Sequence, residues 1–252
     1  MLKVFNPISV TLFSVSLFAA FIIPTRDNDP ANSPHPNAPG HVSSSVRINK
    51  FYTEAEAELI YQAADLENSG LSMQAFKYAY FGYVELLNKK KIVNSNYLSI
   101  CDFSQSSGQK RLYIIDIEKN ELVTHTYVAH GRNSGIEYAK NFSNTPRSNQ
   151  SSLGFYITGE TYIGGHGFSL RLNGIEGGIN DKALARRIVL HGSAYVGEKY
   201  MQYRKLMGRS FGCPAVPKEE SRDIINTIKN GSCLFIYHPS KKYLDRSKIL
   251  NV

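Results

Sequence analysis

The spacing of apolar residues changes once along this chain, and that change limits the folds it can adopt. Up to about residue 88 apolar side chains recur every three or four residues; from Tyr97 onward they recur every second residue. The first period belongs to an amphipathic helix and the second to a half-buried strand. Thr53-Glu54-Ala55-Glu56 has the form of a capping box and predicts a helix from there to Asp65. Ser72 predicts a second helix start, with Phe76, Ala79, Tyr80, Tyr83, Val84 and Leu87 on one face through about Asn88. Strands are predicted at 97–103, 111–117, 121–129, 154–158, 169–172, 188–191 and 233–237. The stretches 180–187 and 217–229 look helical, with Pro217 as a first helical residue, and 162–167 reads as a Gly-rich loop. Runs of strands with helices at the margins imply a mainly β or α+β domain and exclude an alternating parallel α/β fold.

The N-terminal part follows different rules. Lys3 precedes an apolar run from Ile8 to Ile23, about the length of a signal-peptide core and short of a full membrane span. Residues 1–24 are therefore expected to be a signal peptide or an uncleaved anchor. Pro24, Pro30, Pro34, Pro36 and Pro39 lie among Asn, Ser and Gly, so 25–48 reads as an extended linker. The remaining residues, 49–252, are expected to form one domain, with 53–90 as its helical N-terminal part. The net charge of +8 falls wholly after residue 45, because Lys3, Arg26, Asp27 and Asp29 cancel. A basic surface suits anionic partners, but no nucleic-acid motif accompanies it. Nucleic acid is not expected as a partner, and a membrane is expected only through a possible anchor at the N-terminal segment.

Two residues stand out chemically. Cys213 lies in Gly208-Arg209-Ser210-Phe211-Gly212-Cys213-Pro214. Glycine before the thiol permits an unusual turn, and successive backbone N–H groups there can converge on a developing oxyanion. A nucleophilic Cys needs a base. His191 ends the apolar run Ile188-Val189-Leu190, so a strand would deliver it to a sheet edge, and Gly192 lets the chain turn at once. The residue types alone leave equal room for a small buried thiol and a strand-end histidine with no shared task.

Ile188-Val189-Leu190-His191-Gly192-Ser193 followed by Ser210-Phe211-Gly212-Cys213 resembles the two-part signature of YkuD-like murein L,D-transpeptidase catalytic domains. Further similar segments are Lys110-Arg111-Leu112, Ala129-His130-Gly131, Ser152-Leu153-Gly154-Phe155-Tyr156, His166-Gly167 and Ser169-Leu170-Arg171-Leu172, so the likeness spans about 50–238. It implies a compact β-sandwich-like domain with an N-terminal helical pair. It further implies a cysteine acyltransferase of peptidoglycan. Cys213 would form a thioester with a tetrapeptide stem, and Gly212 and Cys213 would hold the oxyanion through backbone N–H groups. His191 would be the base, oriented by the Gly192 carbonyl or the Ser193 hydroxyl. An amine on a second stem would then take the acyl group; water in its place would make the enzyme an L,D-carboxypeptidase. Neither cofactor nor metal is implied, and the location would be periplasmic or otherwise extracytoplasmic. Many members carry a basic residue where Phe211 stands and Arg or Asn where Ala215 stands. Substrate grip is therefore expected from His166, Arg171, Arg209 and Ser210.

The remaining candidates are weaker. His130 ends a predicted strand; His125 and His238 read as structural, and His35 and His41 fall in the linker. The histidines, carboxylates and cysteines never fall into metal-ligand spacing, which disfavours a zinc peptidase. Cys101 and Cys233 lie in separate strand-like runs and are either a disulfide or two buried thiols. A papain-like protease would want a downstream His with its orienter, and only His238 follows Cys213. A non-catalytic wall-binding module is the remaining rival.

Overall fold

The computed structural model describes residues 44–204 and 206–251, with side chains from residue 53 onward. The expected leader or anchor and most of the expected linker lie outside the described residues. Two helices come first: α1 (Ser44–Ala63) and α2 (Met73–Asn88). α1 begins upstream of Thr53, so residues 44–48, expected in the linker, form its first turn. Ser44–Tyr52 contains neither Pro nor Gly to force the chain out of helical geometry, and the capping-box pattern at Thr53 falls inside the helix. α2 starts where predicted, with Ser72 Oγ accepting from the Ala75 N–H at 3.2 Å. Its buried face carries Phe76, Ala79, Tyr80 and Tyr83. Glycine inside a helix costs about 1 kcal/mol relative to alanine. Gly82 is placed so that a β-carbon would stand 1.9 Å from the Phe155 ring, and its absence lets α2 lie directly on the sheet.

The sheet has eight strands: β1 (Tyr97–Asp102), β2 (Leu112–Asp116), β3 (Glu121–Thr126), β4 (Gly154–Gly164), β5 (Gly167–Gly174), β6 (Val189–Ser193), β7 (Ala215–Pro217) and β8 (Cys233–Tyr237). Their order is β3-β2-β1-β8-β4-β5-β6-β7, antiparallel except at β1–β8 and β6–β7. The two ends of this order meet: Ala129, just past β3, bridges Ala215 of β7, and Gly131 bridges Ser210. The sandwich-like character is thus that of one mixed sheet curled toward closure, which covers most of its edges. Short helices α3 (Glu198–Tyr203), α4 (Ser221–Ile228) and α5 (Lys241–Leu244) sit between and after the later strands.

Three local expectations are corrected, and one open alternative is decided. Residues 180–187 form consecutive turns, because the Asn180 side chain bonds the Glu176 N–H and the Leu153 and Phe155 carbonyls in competition with a helix start. Pro217 ends β7, beyond the Ala129–Ala215 bridge on that strand's outer side, so its missing N–H costs no ladder bond. The Gly-rich segment is the tip of the β4–β5 hairpin, closed by Gly164 opposite Gly167 with Gly165-His166 between them. Cys101 and Cys233 are separate buried thiols. On the parallel pair β1–β8, Cys233 stands opposite Leu98, three residues from Cys101, which sets the two side chains on opposite faces.

Arg111 is fully buried and ties the closure together. Its guanidinium donates to the Val128 carbonyl at 3.0 and 2.9 Å, to the Gln105 carbonyl at 2.8 Å and to His130 Nδ1 at 2.8 Å. Burial and the neighbouring Arg111 charge pull the His130 pKa down to about 4, so this ring is neutral and donates through Nε2 to the Gly135 carbonyl. His130 is therefore a structural residue. Replacing Arg111 by Met orphans two carbonyls and a ring nitrogen in the interior, each costing about 1–3 kcal/mol. Arg111→Met is expected to lower the urea midpoint of unfolding by the equivalent of about 3 kcal/mol or more. A loss below about 1 kcal/mol contradicts this role.

Candidate active site

The curl brings the two halves of the Cys/His pattern to adjacent strands. His191 on β6 stands in register with Ala215 on β7, two residues beyond Cys213. The turn that presents Cys213 is locked from inside. Ser210 Oγ donates to the Cys213 carbonyl at 2.6 Å and accepts from the Gly212 N–H at 3.0 Å. Ser151 Oγ donates to the Gly212 carbonyl at 3.1 Å. Gly212 has φ +126°, and a β-carbon there would stand 2.8 Å from the Gln150 carbonyl, so only glycine fits.

His191 is 1% exposed. Its Nδ1 donates to the Gly192 carbonyl at 3.0 Å, which leaves Nε2 as the unprotonated nitrogen of the neutral ring. The His166 ring lies flat against it, 4.1 Å between centroids and 15° between planes. Burial, and to a lesser degree His166, hold the His191 pKa below the ordinary histidine value against the pull of the Gly192 carbonyl. Ser193 Oγ instead accepts from the Tyr195 N–H, so of the two expected orienters the carbonyl is the one in place.

Cys213 is 9% exposed. Its Sγ donates to the Arg187 carbonyl at 3.7 Å. Burial pushes the thiol pKa up, with the Val189 N–H and the Arg186 charge opposing it. Among the described residues no hydrogen bond joins this thiol to His191: the sulfur is turned to Arg187, and the imidazole holds Gly192 and His166. A change of χ1 at Cys213 is the motion that would redirect the sulfur.

Cys213 lines a cleft of about 580 Å³ together with Tyr162, His166, Arg171, Arg186, Arg187, Phe211 and the apolar Leu184, Ile188 and Val189. No carboxylate lines it. Arg171 lies over the Tyr162 ring at 4.9 Å, and Phe211, 63% exposed, is covered by the Arg132 guanidinium at 4.7 Å. Of the four expected substrate-binding residues, His166 and Arg171 face the cleft. Arg209 does not; its guanidinium bonds the Arg132 and Gly135 carbonyls and ties down that loop. Ser210 is consumed by its own turn. The Gly212 N–H is held by Ser210 as well, which removes it from the expected oxyanion pair and leaves that of Cys213.

Sequence reading missed Arg186 and Arg187. Arg187 adopts φ +56°, and this left-handed turn aims its carbonyl at the thiol. Arg186 donates to the Ser143 carbonyl at 2.7 Å, the Gln150 carbonyl at 2.6 Å and the Ser152 hydroxyl. The available signal was two adjacent arginines directly before the strand that carries His191. Among the described residues no cluster of three or more His, Cys, Asp or Glu is arranged to hold a metal ion.

A curled, mostly antiparallel sheet with a thiol and an imidazole on neighbouring strands beside an open cleft defines a β-rich class of cysteine-bearing domains. A family model described as the L,D-transpeptidase catalytic domain matches residues 67–237, and the chain belongs to that family. Solved structures with similarity include an L,D-transpeptidase from Mycobacterium smegmatis, 8% identical with a TM-score of 0.35, covering 57% of this chain and 59% of that one. LdtMt1 in complex with imipenem is 7% identical, TM-score 0.35, covering 56% and 59%. An L,D-transpeptidase from Stackebrandtia nassauensis is 13% identical, TM-score 0.33, covering 66% and 68%. This chain thus spans less than two thirds of the first two. A search of curated proteins gives no match.

The neutral imidazole and the raised thiol pKa together mean that the free protein carries Cys213 as S–H at neutral pH. Iodoacetamide alkylation of Cys213, followed by peptide mass spectrometry across pH, is expected to be slow at pH 7 and to inflect above the ordinary thiol value of 9.0. Fast alkylation at pH 5–6 would reveal a preformed thiolate and contradict this state.

Proposed function

We propose that the protein is a peptidoglycan L,D-transpeptidase with Cys213 as nucleophile and His191 as general base, working outside the cytoplasm. The apolar stretch of residues 1–24 serves as leader or anchor in this reading. One observation carries it: the two halves of the family signature converge beside a cleft lined by three arginines and no acid. Such a cleft favours a peptide bearing carboxylates, such as a tetrapeptide stem ending in D-Ala. Arg171 and Arg187 are the proposed binders, with His166 beside His191.

The chemistry follows from the protonation states. Once stem binding turns Sγ toward the imidazole, its proton passes to His191 Nε2 as sulfur attacks the carbonyl carbon of the third stem residue. The Gly192 carbonyl stabilises the imidazolium through Nδ1–H, the task an Asp performs in a serine triad. The Cys213 N–H faces the developing oxyanion, and the Arg186 charge stabilises the site electrostatically. Collapse breaks the C–N bond, and Nε2–H protonates the departing D-Ala amine. An acceptor amine then attacks the thioester, gives its proton to His191 and releases the cysteine.

The full-length chain incubated with purified tetrapeptide stems is expected to show a thioester adduct on the Cys213 peptide and, with an acceptor amine, a cross-linked product by mass spectrometry. Cys213→Ala should abolish both with an unchanged unfolding midpoint. His191→Gln should slow adduct formation by about 10²–10⁴-fold. Tripeptide as the sole product would assign hydrolysis in place of transfer. Adduct formation by Cys213→Ala would remove the proposed nucleophile.

A further inference from the structure

The 143–152 segment pinned by Arg186 also walls a second cavity, of about 480 Å³, that shares no lining residue with the Cys213 cleft. Lys140, Lys242 and Arg246 line it, and no Asp or Glu does. Among the described residues none of these three side chains takes part in an ion pair or hydrogen bond, whereas neighbouring Lys241 is paired with Asp245 at 2.8 Å. Asp181, beside the rim, is already engaged by the Gly178 N–H and the Asn144 side chain.

The walls are set in advance. Tyr243 in the lining donates to buried Glu176 at 3.0 Å, and Ser247 donates to the same carboxylate at 2.6 Å. Phe142 packs its ring on His238 at 5.0 Å. Asn144 is fixed at both ends of its amide, by the Lys182 N–H and by Asp181. These three side chains are solvent-exposed, and with no acid in the lining they give the hollow a positive potential that favours an anion. A carboxylate brings one negative charge, while a phosphate brings about 1.5–2 and three acceptor oxygens. The cavity is larger than a phosphate alone needs, and Phe142 and Tyr243 in its lining leave room for a compact polar body beside the charged group.

We propose that this cavity is a second ligand site, separate from the Cys213 cleft, that recognises a phosphate group carried on a sugar. The proposal does not rest on the transpeptidase reading. Calorimetric titration of the full-length chain at low salt with glucose 1-phosphate, glucuronate and glucose tests it. Glucose 1-phosphate is expected to bind saturably, at least tenfold tighter than glucuronate, with glucose silent and with affinity falling as salt rises. Lys242→Gln combined with Arg246→Gln should weaken binding at least tenfold with an unchanged unfolding midpoint, and Arg171→Gln in the other cleft should leave it intact. Absence of saturable binding, equal binding of glucuronate or glucose, or loss of binding in Arg171→Gln would each overturn the proposal.

Discussion

A guanidinium buried without a carboxylate partner organises this fold. Arg111 satisfies itself on the Val128 and Gln105 carbonyls and on His130, and a buried donor set of this size fixes the backbone it touches. The segment so fixed is the one that closes the sheet. Ala129 exchanges bonds with Ala215, the Ser210 N–H donates to the His130 carbonyl, and the Gly131 N–H donates to Ser151 Oγ, which in turn donates to the Gly212 carbonyl. Each link is a short polar contact in the interior, where leaving either partner unpaired is expensive. The position of the Cys213 turn is therefore a consequence of how the far end of the sheet is tied, more than of the turn's own sequence.

Arg186 repeats the device on the other side of the thiol. It too takes carbonyls and hydroxyls rather than carboxylates, pinning residues 143–152. Carbonyl dipoles satisfy its hydrogen bonds without cancelling its charge. That remaining charge opposes the effect of burial on the Cys213 thiol. A salt-bridged arginine in the same place would hold the loop equally well and contribute far less to the field at sulfur. The fully buried Arg111 and the half-buried Arg186 thus divide the work: one shapes the backbone around the site, and the other shapes both backbone and electrostatics.

Much of this was legible beforehand, and the failures have identifiable causes. The α2 start was readable because Ser72 and a clean helical stripe agree, and β8 because a fully buried central strand is a continuous apolar run. The His191 and Cys213 segments were readable as a pair because both halves of the pattern are short and local. What escaped depends on distant partners. Asn180 looks like part of a helix until the Leu153 and Phe155 carbonyls claim its amide. Ser210 and Arg209 look like substrate ligands until the turn and the 132–135 loop occupy their donors. Whether Cys101 and Cys233 pair was open in the sequence, because strand register decides it and no spacing along one strand reveals register.

The two protonation states at the candidate site share one cause. Burial disfavours charge on both groups, lowering the His191 pKa and raising that of Cys213. A thiolate–imidazolium pair is disfavoured twice over, so the proton stays on sulfur in the empty site. This protects the thiol, since oxidation and alkylation follow thiolate character and exposure. On the proposed chemistry it also ties activation to the stem. Charge can develop on sulfur and imidazole only when both are turned toward each other and the carbonyl oxygen of a bound peptide takes the negative charge beside the Cys213 N–H. The cost of the buried neutral pair is then recovered in the transition state, where the same low-dielectric surroundings strengthen each fixed donor and the Arg186 field.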